Sequence, residues 1–136
     1  MSVQSNQIRE PQESDREIDL RIATLLEPEP AFPECKGRLN DTMSPLGAWV
    51  HTHISNHCDG CLVLPRSFSS ELSLAWRVVE HFQRNGYMVS VNASDGGGYW
   101  CCMYPPQGAF IETTIKASPA KAICAAASAA QEQSQK

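Results

Sequence analysis

Between Ser69 and Ala129 the hydrophobic period of the chain switches from helical to alternating and back to helical, an order that few compact folds accommodate in so short a length. Leu72, Ala75, Trp76, Val79 and either Phe82 or Gln83 recur at helical spacing, after Ser69 or Ser70 as cap and with Glu71 where the helix dipole favours an anion. On this spacing Trp76 is a core anchor, and Asn85-Gly86 closes the helix. Tyr87, Val89 and Val91 then alternate with Met88 and Ser90, and Asp95-Gly96-Gly97-Gly98 supplies a turn into a second strand, Tyr99 to Tyr104. Strand alternation puts Cys101 and Cys102 on opposite faces. A third, half-buried strand is expected from Ala109 to Ala117. Ser118-Pro119 is a strong helix start, and Ala122, Ile123, Ala126 and Ala130 are small enough to pack closely on a sheet. The fold class that follows is α+β, a small antiparallel sheet of three to five strands packed between helices in an α-β-α sandwich.

Upstream of this stretch, residues 1–13 are polar and are expected to form a flexible tail, since they bury too little to offset the entropy of ordering. Ser14-Asp15-Arg16-Glu17 fits a capping box, and Ile18, Ile22, Leu25 and Leu26 line one face of the helix that follows. Pro28, Pro30 and Pro33 end it and make Glu27 to Asn40 a loop. Two short strands, Leu46 to Ile54 and Leu62 to Leu64, flank a Cys58-Asp59-Gly60-Cys61 turn. The expected organisation is a tail at 1–13, one domain at 14–130 with a Cys/His-rich insertion at about 35–64, and a polar tail at 131–136.

With 136 residues the chain is long enough for one core. No apolar run approaches the length of a membrane span, and the first residues lack the basic start and apolar middle of a secretory signal, so a cytoplasmic protein without membrane partners is expected. That setting reads the six cysteines as free thiols or metal ligands rather than disulfides. A net charge of −4 with no basic run disfavours direct binding of nucleic acid.

The densest chemistry lies between His51 and Cys61. Zinc takes four nitrogen or sulfur ligands in a tetrahedron. His51 and His53 share a strand face, and a C-x-x-C turn can bring two thiolates onto one ion. The preferred set is His51, His53, Cys58 and Cys61, with His57 and Cys35 as substitutes, and the zinc would be structural, stapling a segment with little core of its own. The competing account is a polar surface loop with reduced thiols and solvated histidines, because the spacing is not that of a standard zinc finger and no second C-x-x-C is present. A redox pair would need a thioredoxin-like setting that is absent. Cys101 or Cys102 with His81 makes a nucleophile pair on paper, but strand cysteines are usually small core residues. The Asp95 to Gly98 loop joins two strands rather than a strand and a helix, so it is a turn and not a phosphate loop. Trp100 and Tyr104 share a strand face opposite Tyr99. A sandwich would cover both faces; if one is left open, its aromatic and sulfur side chains form a binding patch.

The stretch Phe68-Ser69-Ser70-Glu71-Leu72-Ser73-Leu74-Ala75-Trp76-Arg77-Val78-Val79-Glu80 and the ending Ser118-Pro119-Ala120-Lys121-Ala122-Ile123-Cys124-Ala125-Ala126-Ala127 resemble the phage ABA-sandwich domain family, over roughly residues 66–130. The resemblance implies an antiparallel sheet with helices and a small accessory protein of a phage or prophage, working in the bacterial host cell. The family offers no catalytic motif to carry over, and Glu27 to Leu64 is longer and richer in Cys and His than in its relatives. The expected function is therefore non-enzymatic: binding of a host or phage protein, of which inhibiting a host defence system such as a CRISPR effector is one form. The alternatives are a zinc-stapled binding module that uses the Cys/His segment as its recognition surface, and a small hydrolase or redox enzyme.

Overall fold

The computed structural model describes residues 14–29, 42–53 and 61–134. The first helix, α1 (Asp15–Leu26), starts at the expected capping box: the Glu17 N–H donates to Ser14 Oγ at 3.2 Å, and the Ser14 N–H reaches back to Glu17 Oε1 at 3.3 Å. Its buried residues Ile18, Ile22 and Ala23 confirm the periodic face. The expected tail at 1–13 lies outside the described residues.

Next come three short strands, β1 (Thr42–Met43), β2 (Trp49–His53) and β3 (Cys61–Pro65), in one antiparallel sheet ordered β1-β2-β3. The 44–49 turn that leads into β2 is fixed by Glu27, the residue that ends α1. Glu27 is 5% exposed. Its carboxylate accepts from the Ser44 hydroxyl and from the N–H groups of Leu46 and Ala48, at 3.3 and 3.4 Å for the two amides, while its carbonyl accepts from Trp49 Nε1 at 2.8 Å. Buried donors and a buried carboxylate thus satisfy one another, which is the condition for placing either inside.

The second helix, α2 (Leu72–Arg84), starts later than the serines suggest. Glu71 takes the cap position without a side-chain bond, and the Ser69 N–H instead donates to Asp19 Oδ1 on α1 at 2.8 Å. The core face is Leu74, Ala75, Val78, Val79 and Phe82, so Trp76 sits on the flank and is 49% exposed. Trp76 is therefore not the core anchor that its spacing suggests; the buried tryptophan is Trp49. A six-residue hairpin follows, β4 (Met88–Ala93) and β5 (Tyr99–Tyr104), turned through Gly97 and Gly98 at positive φ. The third strand is shorter than alternation predicts: β6 (Ile111–Glu112) pairs with β5, and only a lone Tyr99–Lys116 bridge continues it. The second sheet runs β4-β5-β6, all antiparallel.

The last helix, α3 (Pro119–Ser134), begins with Ser118 Oγ accepting from the Lys121 N–H at 3.1 Å, and it runs on into the stretch expected to be a tail. It packs at once on β5, α1 and α2. Ala122 to Ala130 is accordingly buried on every side, so alanine serves here to let three neighbours approach one helix rather than to pack on one sheet. The α+β sandwich expected from the sequence is present, with six strands divided between two sheets and one continuous hydrophobic core.

Candidate functional site

Register and burial separate the two faces of the β4-β5-β6 sheet. Val89, Val91, Tyr99, Cys101, Met103 and Ile111 belong to the core beneath it. The opposite face pairs Met88 with Tyr104, Ser90 with Cys102 and Asn92 with Trp100 across β4 and β5, and Cys102 with Glu112 across β5 and β6. Among the described residues no helix joins these side chains to the core cluster.

This open face is apolar at one end and polar in the middle. Met88 is 72% exposed and Tyr104 43% exposed, and the Tyr104 ring stacks on Phe110 with centroids 5.6 Å apart and planes 21° from parallel. Cross-strand pairing brings the Met88 thioether beside that stack. In the middle the Cys102 thiol lies 3.5 Å from Glu112 Oε2, hemmed in by its neighbours. Burial first, and then Glu112, raise its pKa, so it stays a neutral thiol at physiological pH. Trp100 sits half-buried at the far end. The arrangement offers rigid aromatic and sulfur surface held by a sheet.

Sequence spacing singled out Trp100 and Tyr104 for this face and Tyr99 for the other, and the register agrees. Met88 and Phe110 were missed as parts of the patch. The signal for Met88 was present, since it alternates with the core residues Tyr87 and Val89 and must point away from them.

The thiols on the core side are poor nucleophiles. Burial pushes Cys101 up to about 12 and raises Cys124 further still. His81, the base imagined for Cys101 or Cys102, is on α2 with its ring edge against Phe82 and beside Arg84, away from either thiol.

Of the zinc set proposed from sequence, His51 lies in β2 on the same face as the buried Trp49 and is itself buried. His53 ends β2 and is paired in register with Cys61, which opens β3. Cys58, His57 and Cys35 lie outside the described residues. Among the described side chains no three potential ligands gather.

A family model described as the phage ABA sandwich domain matches residues 42–128, which takes in both sheets, α2 and most of α3. No curated protein and no solved structure matches the chain.

Proposed function

Because the chain belongs to the phage ABA sandwich domain family, a family of phage accessory proteins, we propose that it works by binding another protein through the open face of the β4-β5-β6 sheet. The observation that carries this reading is the cluster of exposed Met88 and Tyr104 with half-buried Phe110, on a sheet whose other face packs against the core. Exposed aromatic and methionine side chains on a rigid support are what interface centres are made of, because they bury large area at small entropic cost. The role is binding rather than catalysis: the thiols that could act as nucleophiles are held protonated by burial. The partner is a host or phage protein, and a host defence complex such as a CRISPR effector is the first to test in a phage setting.

The experiment is capture from lysate of phage-infected host cells with tagged wild type and with Met88→Glu/Tyr104→Glu. A stoichiometric protein held by the wild type and lost by the variant, with unchanged melting, is the expected result. A partner that the variant retains, or no partner for either, overturns the reading.

The β2-β3 hairpin supports a second reading, a zinc-stapled module, because the register pairs His53 with Cys61 on the neighbouring strand. Ligands directly across an antiparallel pair are close enough to share one ion. Cys58 would complete the set. Protein purified without added metal should then carry about one zinc per chain. Substoichiometric zinc, or a Cys61→Ser variant with unchanged zinc and melting, rules it out.

A further inference from the structure

On the other side of the molecule α2 carries Arg77, His81 and Arg84, spaced so that all three share one helical face. They line a recess of about 380 Å³ together with Glu80, Leu26 from α1 and Leu46 from the 44–49 turn. The two guanidinium groups are placed differently. Arg77 Nη2 donates to the Leu46 carbonyl, and the group lies so near Gly47 that a Cβ there would come within 3.0 Å of Nη1, so this cation is anchored with most of its donors still available. Arg84 forms no hydrogen bond and no ion pair with any described residue. Among the described lining residues Glu80 is the lone carboxylate against two arginines, so together they carry a net positive charge in a chain whose net charge is −4.

We propose that this recess is a binding site for an oxyanion of the phosphate and sulfate class, with Arg77 and Arg84 as its cationic donors and His81 as a third donor when protonated. Arginine is the side chain best matched to such anions, because its planar fork gives paired, charge-assisted hydrogen bonds. Leu26 and Leu46 form an apolar wall that limits competing water, and Arg77 is already held in place, so less rotamer freedom is lost on binding. The site is separate from the sheet face and does not depend on it.

His81 gives the site a pH dependence. Burial first, and then Arg84, lower its pKa, so the empty recess holds a neutral imidazole at neutral pH. A bound anion opposes both effects and favours the imidazolium, so by linkage affinity rises as pH falls through the histidine range. Among the described residues the charged groups facing His81 are Arg77, Glu80 and Arg84 of its own helix. From α1 and the turn the lining is apolar, since the Glu27 carboxylate is turned into Ser44, Leu46 and Ala48.

Sulfate is the probe, because its charge does not change over the pH range of interest. Calorimetric titration of the full chain at matched ionic strength, at about pH 5.5 and about pH 8, brackets the histidine range. Saturable sulfate binding, stronger at the lower pH, is expected. Arg84→Gln should weaken it about tenfold or more, as loss of a charge-assisted bond requires, and inorganic phosphate should compete. His81→Gln should bind with little pH dependence. In the free Arg84→Gln variant the His81 pKa, followed by NMR, should rise, which reports an intact recess independently of binding. The absence of saturable binding, or equal binding by Arg84→Gln with the His81 pKa raised as expected, overturns the proposal, and a pH dependence that survives His81→Gln removes His81 from it.

Discussion

Replacing Glu27 by Ala tests whether the buried carboxylate, rather than backbone pairing alone, fixes the turn that launches the first sheet. The substitution removes the acceptor for the Ser44 hydroxyl and for the Leu46 and Ala48 amides. These losses are unequal. Leu46 is exposed and its N–H can turn to water, whereas Ser44 and Ala48 are buried at 4% and 1% and have no such recourse. Ser44 Oγ also accepts from the Trp49 N–H at 3.1 Å, so the carboxylate orients a relay that ends on the buried strand. A hydrogen bond to a charged group is worth about 1.5–3 kcal/mol net, and the two amide bonds are long, so one strong bond and a fraction of two more give about 2–4 kcal/mol. For a domain of this size that is a fall in Tm of roughly 8–16 °C. Urea unfolding should show it as a lower midpoint at unchanged slope. Glu27→Ala/Ser44→Ala should cost less than the sum of the two single changes, because the hydroxyl left stranded by the first is absent in the double variant. A Glu27→Ala variant within about 0.5 kcal/mol of wild type would refute the reasoning, since such a small change is what an ordinary surface site gives.

Other perturbations probe separate parts of the fold. Gly98→Ala, at φ +91° with its new Cβ 2.4 Å from Ile115 Cγ2, should destabilise the β4-β5 hairpin by about 1–3 kcal/mol in urea unfolding. Ala126→Leu should cost about 1–3 kcal/mol or more, because α3 has neighbours on every side and no room to yield. Trp49→Ala should cost about 3–5 kcal/mol whereas Trp76→Ala, on an exposed flank, should shift the midpoint little. Burial outweighs the Ser69 N–H bond and raises the Asp19 pKa, so the protonated form is the one favoured by folding. Its contribution to stability is therefore present at low pH and lost as pH rises through the folded pKa, and Asp19→Asn should flatten that part of a stability–pH profile.

The elements most legible in the sequence are those whose signals are local. The Ser14 box, the Asn85-Gly86 stop, the β4-β5 alternation and the Ser118-Pro119 start each depend on residues within one turn of one another, and each stands where it was expected. Ser69 failed as a cap because its amide is used by Asp19, fifty positions upstream, a partner no local window contains. The third strand fell short for a similar reason. Its alternation is real at Ile111 and Thr113, which are buried, but the Cys101 N–H donates to Thr113 Oγ1 and pairing resumes only at Tyr99–Lys116, one residue out of the β5-β6 register, which leaves Ile115 outside. The open sheet face was half legible: alternation assigned Trp100 and Tyr104 to one side, while the absence of a helix over that side among the described residues is a property of packing. The Arg77, His81 and Arg84 recess was readable as a helical face, but only the fold brings Leu26 and Leu46 to close it.

The final helix carried a stronger signal than its alanine content alone. From Ala120 to Ala130 there is one charged residue, Lys121, and one polar one, Ser128, and no polar stripe at helical spacing. An outer layer of a sandwich needs such a stripe to face water. Its absence marks a helix enclosed on all sides, and small side chains are what enclosure by β5, α1 and α2 demands. Lys121, which pairs with Asp15 at 3.3 Å, sits at the N-terminal end, where the helix reaches solvent. Once α3 is the middle of the structure, the rest of the layering follows: α1 and α2 lie against it on one side and the β4-β5-β6 sheet on the other. Among the described residues the outer face of that sheet is then left without a helix, because the helices that a sheet of this size would otherwise recruit are already occupied around α3.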